Sequence, residues 1–88
     1  MDTYELKLCG VKRELPFIDL EDNLAFASFV IMGDTELITA CAPELAEKIG
    51  DVDVIITAEA KGIALAYEIS RLLGKKEFIV ARKSIKSY

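Results

Sequence analysis

The chain has 88 residues, a net charge of −4, two cysteines and no histidine. A 52% apolar composition excludes a disordered chain. The missing histidine and the wide separation of Cys9 and Cys41 exclude the usual zinc spacings and every histidine-based nucleophile or proton relay. The acidic balance argues against nucleic acid as a partner, because a duplex-binding domain is normally basic over a whole face.

Charge is unevenly spread. Residues 71–88 carry six cations against Glu77, a local +5, whereas residues 1–70 carry five cations against fourteen acids, a local −9. Read from charge alone, the basic end is a solvated tail or a local site for an anion such as phosphate. The cysteines read as reduced thiols used as small apolar residues. No apolar run is long enough to span a membrane, and Met1-Asp2-Thr3-Tyr4-Glu5 lacks the basic start of a signal peptide. The expectation is a cytoplasmic protein.

Residues 4–9 alternate apolar and polar and predict a half-buried strand, which Gly10 breaks. Residues 11–20 predict a second strand, with Pro16 confining it to an edge or a bulge. Glu21-Asp22-Asn23 predicts a turn, and the apolar run 24–32 a third strand. Asp34 is the expected N-cap of a helix over 35–49, with Leu37, Ile38, Cys41, Ala42, Leu45 and Ile49 as its apolar stripe. Pro43 interrupts that helix or splits it. One kinked helix is the preferred reading, because the stripe passes Pro43 in phase.

The β-branched run 52–57 predicts a parallel strand covered on both faces. A helix over 62–73 follows, with Ile63, Ala66, Ile69, Leu72 and Leu73 inward and Gly74 at C′. Residues 78–81 predict the next strand, completing a right-handed βαβ unit.

In such units ligands bind beyond the carboxyl ends of the strands. Here that place is Thr57-Ala58-Glu59-Ala60-Lys61-Gly62. The free amides and dipole of the following helix favour an anion, Lys61 adds a charge, and Gly62 allows close backbone approach. Arg82 and Lys83 end the next strand at the same edge, a guanidinium fork beside a point charge. Glu59 fits three roles: part of a divalent-cation site, a clamp on loop amides, or a side chain in water. Plain scaffold remains the competing reading of the whole loop.

The stretch DVIITAEAKG (53–62), the amphipathic helix, Leu73-Gly74 and FIVARK (78–83) resemble the type I phosphoribosyltransferases, specifically the adenine and xanthine members. The resemblance implies an α/β, Rossmann-like fold of which this chain is the amino-terminal half. Residues 1–33 would be hood-like strands, and residues 34–88 a partial core. It also implies that Glu59, Ala60, Lys61, Gly62, Arg82 and Lys83 bind the pyrophosphate of 5-phosphoribosyl-1-pyrophosphate (PRPP), with a cis peptide at Glu59–Ala60. By the same resemblance, the charges of Lys61, Arg82 and Lys83 would stabilise pyrophosphate as it leaves the ribose. The implied activity is transfer of phosphoribose to a purine, adenine foremost, in purine salvage. Mg²⁺ would act as cofactor, PRPP and a purine as ligands, and a homodimer as the assembly. Lys61-Gly62-Ile63 lies between the adenine pattern (Arg-Gly-Phe) and the xanthine pattern (small residue, then Gly-Ile).

The family's acidic pair followed by a Thr/Ser- and Gly-rich loop does not occur in residues 1–88. The chain is therefore expected to hold no catalytic residue and no metal ligand, and to have little or no transferase activity by itself. The alternative expectation is a non-catalytic module of the same fold that senses PRPP or nucleotides, or self-associates.

Overall fold

A computed structural model describes residues 3–82. The chain is mixed α/β: a three-stranded antiparallel sheet, two helices, and a two-stranded parallel sheet. The first sheet has order β1(Thr3–Leu8)-β2(Val11–Glu21)-β3(Leu24–Ala27). Cys9 and Gly10 join β1 to β2 with φ of 54° and 79°, the two positive values of a type I′ hairpin turn.

Pro16 sits in the middle strand, not on an edge. β2 is long enough to change partners. Residues up to Pro16 pair with β1, and Phe17 onward pair with β3. The proline occupies the changeover, where its carbonyl still accepts from the Ser28 N–H at 2.8 Å. A register shift between Asp19 and Glu21 puts the expected irregularity further along β2. The third strand stops at Ala27 instead of continuing to residue 32. Beyond Ser28 the chain leaves its partner, and an apolar run without a ladder is not a strand.

The helix α1(Thr35–Ile49) is continuous, with Pro43 inside it. Asp34 caps it by accepting the Leu37 N–H at 3.1 Å, and the Gly50 N–H closes it on Ala46 O at 3.0 Å. Leu37, Ile38, Cys41 and Ala42 are buried as the periodicity requires. The buried residue at the carboxyl end is Ala46, whereas Ile49 is exposed, because the small side chain lies where the second helix packs.

Asp34 also receives a two-pronged grip from Arg13 of β2, with Nε and one terminal nitrogen each 2.8 Å from its carboxylate. Arg13 reaches Glu36 at 2.9 Å as well, so one guanidinium ties the antiparallel sheet to the start of α1. The Arg13 hydrogen bonds hold the Asp34 carboxyl at about 2, below its ordinary 3.8. A depressed carboxylate contributes stability that is complete above its unfolded value and lost as pH falls through the folded value. Acid titration should therefore lower the melting temperature between about pH 4 and pH 2, and Asp34→Asn should flatten that limb. A thermal-melt series over pH checks it; an unchanged limb in the variant would remove Asp34 from the acid response.

The second half is a βαβ unit: β4(Ile56–Ala58), α2(Ile63–Leu72), β5(Ile79–Ala81), with β4 and β5 parallel. α2 ends in a Schellman closure. Gly74, at φ 75°, donates to Arg71 O, and Lys75 donates to Ser70 O. Ala42 and Ala46 of α1 meet Ile69 of α2, with Leu45, Ile55, Leu65 and Leu73 around them, and this is the core.

β4 and β5 are not covered on both faces, contrary to the expectation for a parallel strand. Ile56 is 62% exposed and Ile79 48%, while Thr57 and Val80 on the opposite face are half-buried. Both strands are also shorter than their apolar runs. With only one neighbour each, the ladder that would extend them is short, and at the amino-terminal end of β4 Ile55 O continues it by accepting from Ile79 N–H at 2.9 Å. The molecule is accordingly thin, at 45 × 38 × 18 Å. Its radius of gyration is 15.7 Å, against about 12 Å for a compact domain of this length.

Candidate functional site

The turn between β4 and α2 carries the candidate site. A parallel strand ends at Ala58, and the chain must reverse onto a helix within four residues. The Glu59 N–H donates to Ala81 O at 3.0 Å, which carries the parallel ladder one step past β4 and pins the loop to the end of β5. The Glu59–Ala60 peptide is cis, where the phosphoribosyltransferase resemblance puts it. The Ile63 N–H closes the turn on Ala60 O at 3.2 Å, and Ala66 N–H donates to Gly62 O at 2.9 Å. Gly62 is the N-cap of α2 and offers no side-chain cap. Among the described residues no side-chain hydrogen bond caps the start of α2, and the free amides of a helix start favour an anion.

Thr57, Ala58, Glu59, Ala60, Lys61 and Gly62 line an open cavity of about 510 Å³. Met32, from the segment before α1, forms its remaining wall. Lys61 is exposed at this cavity. Arg82 is not a lining residue. It meets the loop through Glu59, whose carboxylate lies 4.0 Å from the guanidinium. Of the three roles open to Glu59 in the sequence, the structure gives it this contact with the cation of the neighbouring strand, together with the backbone bond to Ala81. Lys83 lies outside the described residues.

Gly62 has a reason beyond ligand approach. A Cβ built there would sit 2.6 Å from Thr57 Oγ1, inside van der Waals contact. Its backbone (φ −92°, ψ 0°) is open to other residues, so the demand for glycine is steric and comes from across the loop. Met32 is the residue that reading along the chain does not single out, and Thr57 appears there only as the start of the loop. Thr57 faces Gly62 only once the loop has turned, and Met32 arrives from a different part of the chain.

No group of three or more His, Cys, Asp or Glu side chains that could hold a metal occurs among the described residues. One carboxylate already facing a guanidinium is a poor Mg²⁺ site, since Mg²⁺ takes oxygen ligands in octahedral array. No helix among the described residues is long and apolar enough to cross a membrane. Compared with known families, the chain matches no family model, and no curated protein matches it.

Proposed function

We propose that this chain carries the pyrophosphate-binding half of a purine phosphoribosyltransferase site, adenine being the foremost base, in a cytoplasmic protein of nucleotide salvage. The observation that supports it is the loop after β4, which carries Lys61 and the start of α2, with Arg82 after the parallel strand β5 lying 4.0 Å from Glu59 of the same loop. An anion there gains one full charge from Lys61, the helix dipole, and a second charge if Arg82 exchanges its 4.0 Å contact with Glu59 for a phosphoryl oxygen. That exchange costs little, because an exposed ion pair at this distance is worth about 0–1 kcal/mol. Mg²⁺ would enter with the pyrophosphate, held by phosphoryl oxygens and water.

Titrating the chain with Mg-pyrophosphate and Mg-PRPP should move the amide resonances of Ala60 to Ile63. Lys61→Ala and Arg82→Ala should each weaken binding by about tenfold, or 1.4 kcal/mol. Both should leave thermal stability within about 0.5 kcal/mol, as changes of exposed side chains usually do. Unchanged affinity in both variants would return the two cations to the solvated surface. In a chain that also contains an acidic pair and a Gly-rich loop, nucleotide formation from adenine, hypoxanthine, guanine or xanthine with Mg-PRPP is the expected activity. No product from any of the four would remove the enzyme reading.

One observation favours the second reading, a self-associating module. The outer face of the β4–β5 sheet is apolar and open, with Ile56 and Ile79 upon it. Both readings allow an oligomer, so the test is where it forms: the module reading requires that Ile56→Lys/Ile79→Lys dissociates the assembly in sedimentation while pyrophosphate binding is absent from the unaltered chain.

A further inference from the structure

The hairpin turn of the first sheet carries an unexpected residue. Both central positions of a type I′ turn need positive φ, which suits Asn, Asp or Gly. Cys9 holds the first of them at φ 54°, a conformation uncommon for a side chain of this type. The turn aims its thiol at α1, where Cys41 is buried at 2% exposure. Cys9 and Cys41 line the same cavity of about 320 Å³, together with Phe29, Glu44 and Lys48. The two thiols line this cavity from the turn and from α1, and the neighbouring Cys41 thiol, burial and Glu44 together push the Cys9 thiol up to about 12.

We infer that Cys9 and Cys41 form an intramolecular disulfide when the chain meets a small-molecule disulfide, tying the hairpin turn to the middle of α1. This is independent of the proposed pyrophosphate site. With oxidised glutathione the step balances as two exchanges. Cys9 Sγ, the more exposed of the two, bonds to one glutathione sulfur as the glutathione disulfide breaks, and the first glutathione leaves. Cys41 Sγ then attacks Cys9 Sγ, and the second glutathione leaves with the bond pair. The two thiol protons end on the two glutathiones, so the chain is oxidised by two electrons and glutathione disulfide is reduced by two. The raised Cys9 thiol makes the first exchange slow at neutral pH, because the thiolate is the attacking species. The second is favoured by proximity.

The test is intact-mass and peptide analysis of the folded chain after prolonged incubation with excess oxidised glutathione. The expected product has lost two hydrogens, carries no glutathionyl group, joins the peptides containing Cys9 and Cys41, and melts at a higher temperature than the reduced chain. Cys41→Ser should instead stop at the first exchange and retain a glutathionyl group on Cys9. A stable glutathionyl adduct on Cys9 of the unaltered chain would overturn the inference. So would an unchanged mass under conditions in which the denatured chain reacts fully.

Discussion

Ile69→Ala should leave the helical layer largely unfolded at temperatures where the unaltered chain is folded. Ile69 is 5% exposed and packs on Ala42 and Ala46 with Leu45, Ile55, Leu65 and Leu73 around them, so truncating it opens a cavity at the centre of this cluster. Removing a buried isoleucine side chain costs about 2–5 kcal/mol, the higher values belonging to sites that cannot relax. A domain of this size has a margin of only about 3–5 kcal/mol. The substitution therefore consumes most of the stability. Leu72→Ala is the control, because Leu72 lies on the same helix but is 40% exposed, and surface substitutions stay within about 0.5 kcal/mol when they touch no special feature. Far-UV circular dichroism melts of the three chains give the answer. Similar midpoints for Ile69→Ala and Leu72→Ala would mean that the α1–α2 contact is not what holds the chain together.

Gly62→Ala should abolish most pyrophosphate binding while leaving the helices folded. The new methyl would stand 2.6 Å from Thr57 Oγ1, so either Thr57 must rotate or the loop must open. Rotation is resisted, since a β-branched side chain presents a methyl group in one of its alternative rotamers. Opening the loop moves the start of α2 and Lys61 relative to Ala58. We expect a loss of about tenfold or more in affinity for Mg-pyrophosphate, equivalent to at least about 1.4 kcal/mol. Because the obstacle is one side chain, Gly62→Ala/Thr57→Ala should regain most of the lost affinity. Failure of that rescue, measured by the same titration, would show that Gly62 is needed for ligand approach and not for its fit against Thr57. Full affinity in the single variant would remove the loop from the binding site.

Much of the architecture was legible because its causes are local. A capping aspartate, an apolar stripe and a closing glycine define α1 from Asp34 to Gly50, and all three act within a turn or two of the residues they govern. Gly74 likewise ends α2. The expected inward residues went astray where burial depends on a neighbour. Ile49 and Leu72 continue their stripes in sequence, yet both are exposed, since the cluster where the two helices pack centres on Ala42, Ala46 and Ile69 and does not include them.

Strand lengths failed for a related reason. An apolar, β-branched run states a capacity for pairing, and only a partner realises it. Residues 29–32 and 52–54 have that capacity and lack the ladder, so β3 and β4 are short. Pro16 was legible as a break in a ladder, but β2 solves the problem by changing partners there, which no local rule anticipates.

At the candidate site the sequence by itself determined the parts: a strand, the Glu59-Ala60-Lys61-Gly62 turn, a helix start, and Arg82 at the end of the next apolar run. These follow from residue chemistry and spacing, which act along the chain. Tertiary structure alone decided how they meet. It set Arg82 against Glu59, made Gly62 obligatory through Thr57, and brought Met32 to the cavity wall from beyond the first sheet. The Arg82 and Met32 contacts join residues far apart in the chain, the Thr57–Gly62 contact depends on how the loop folds back, and their geometry is fixed by how two strands and a helix pack, a quantity that no single segment carries.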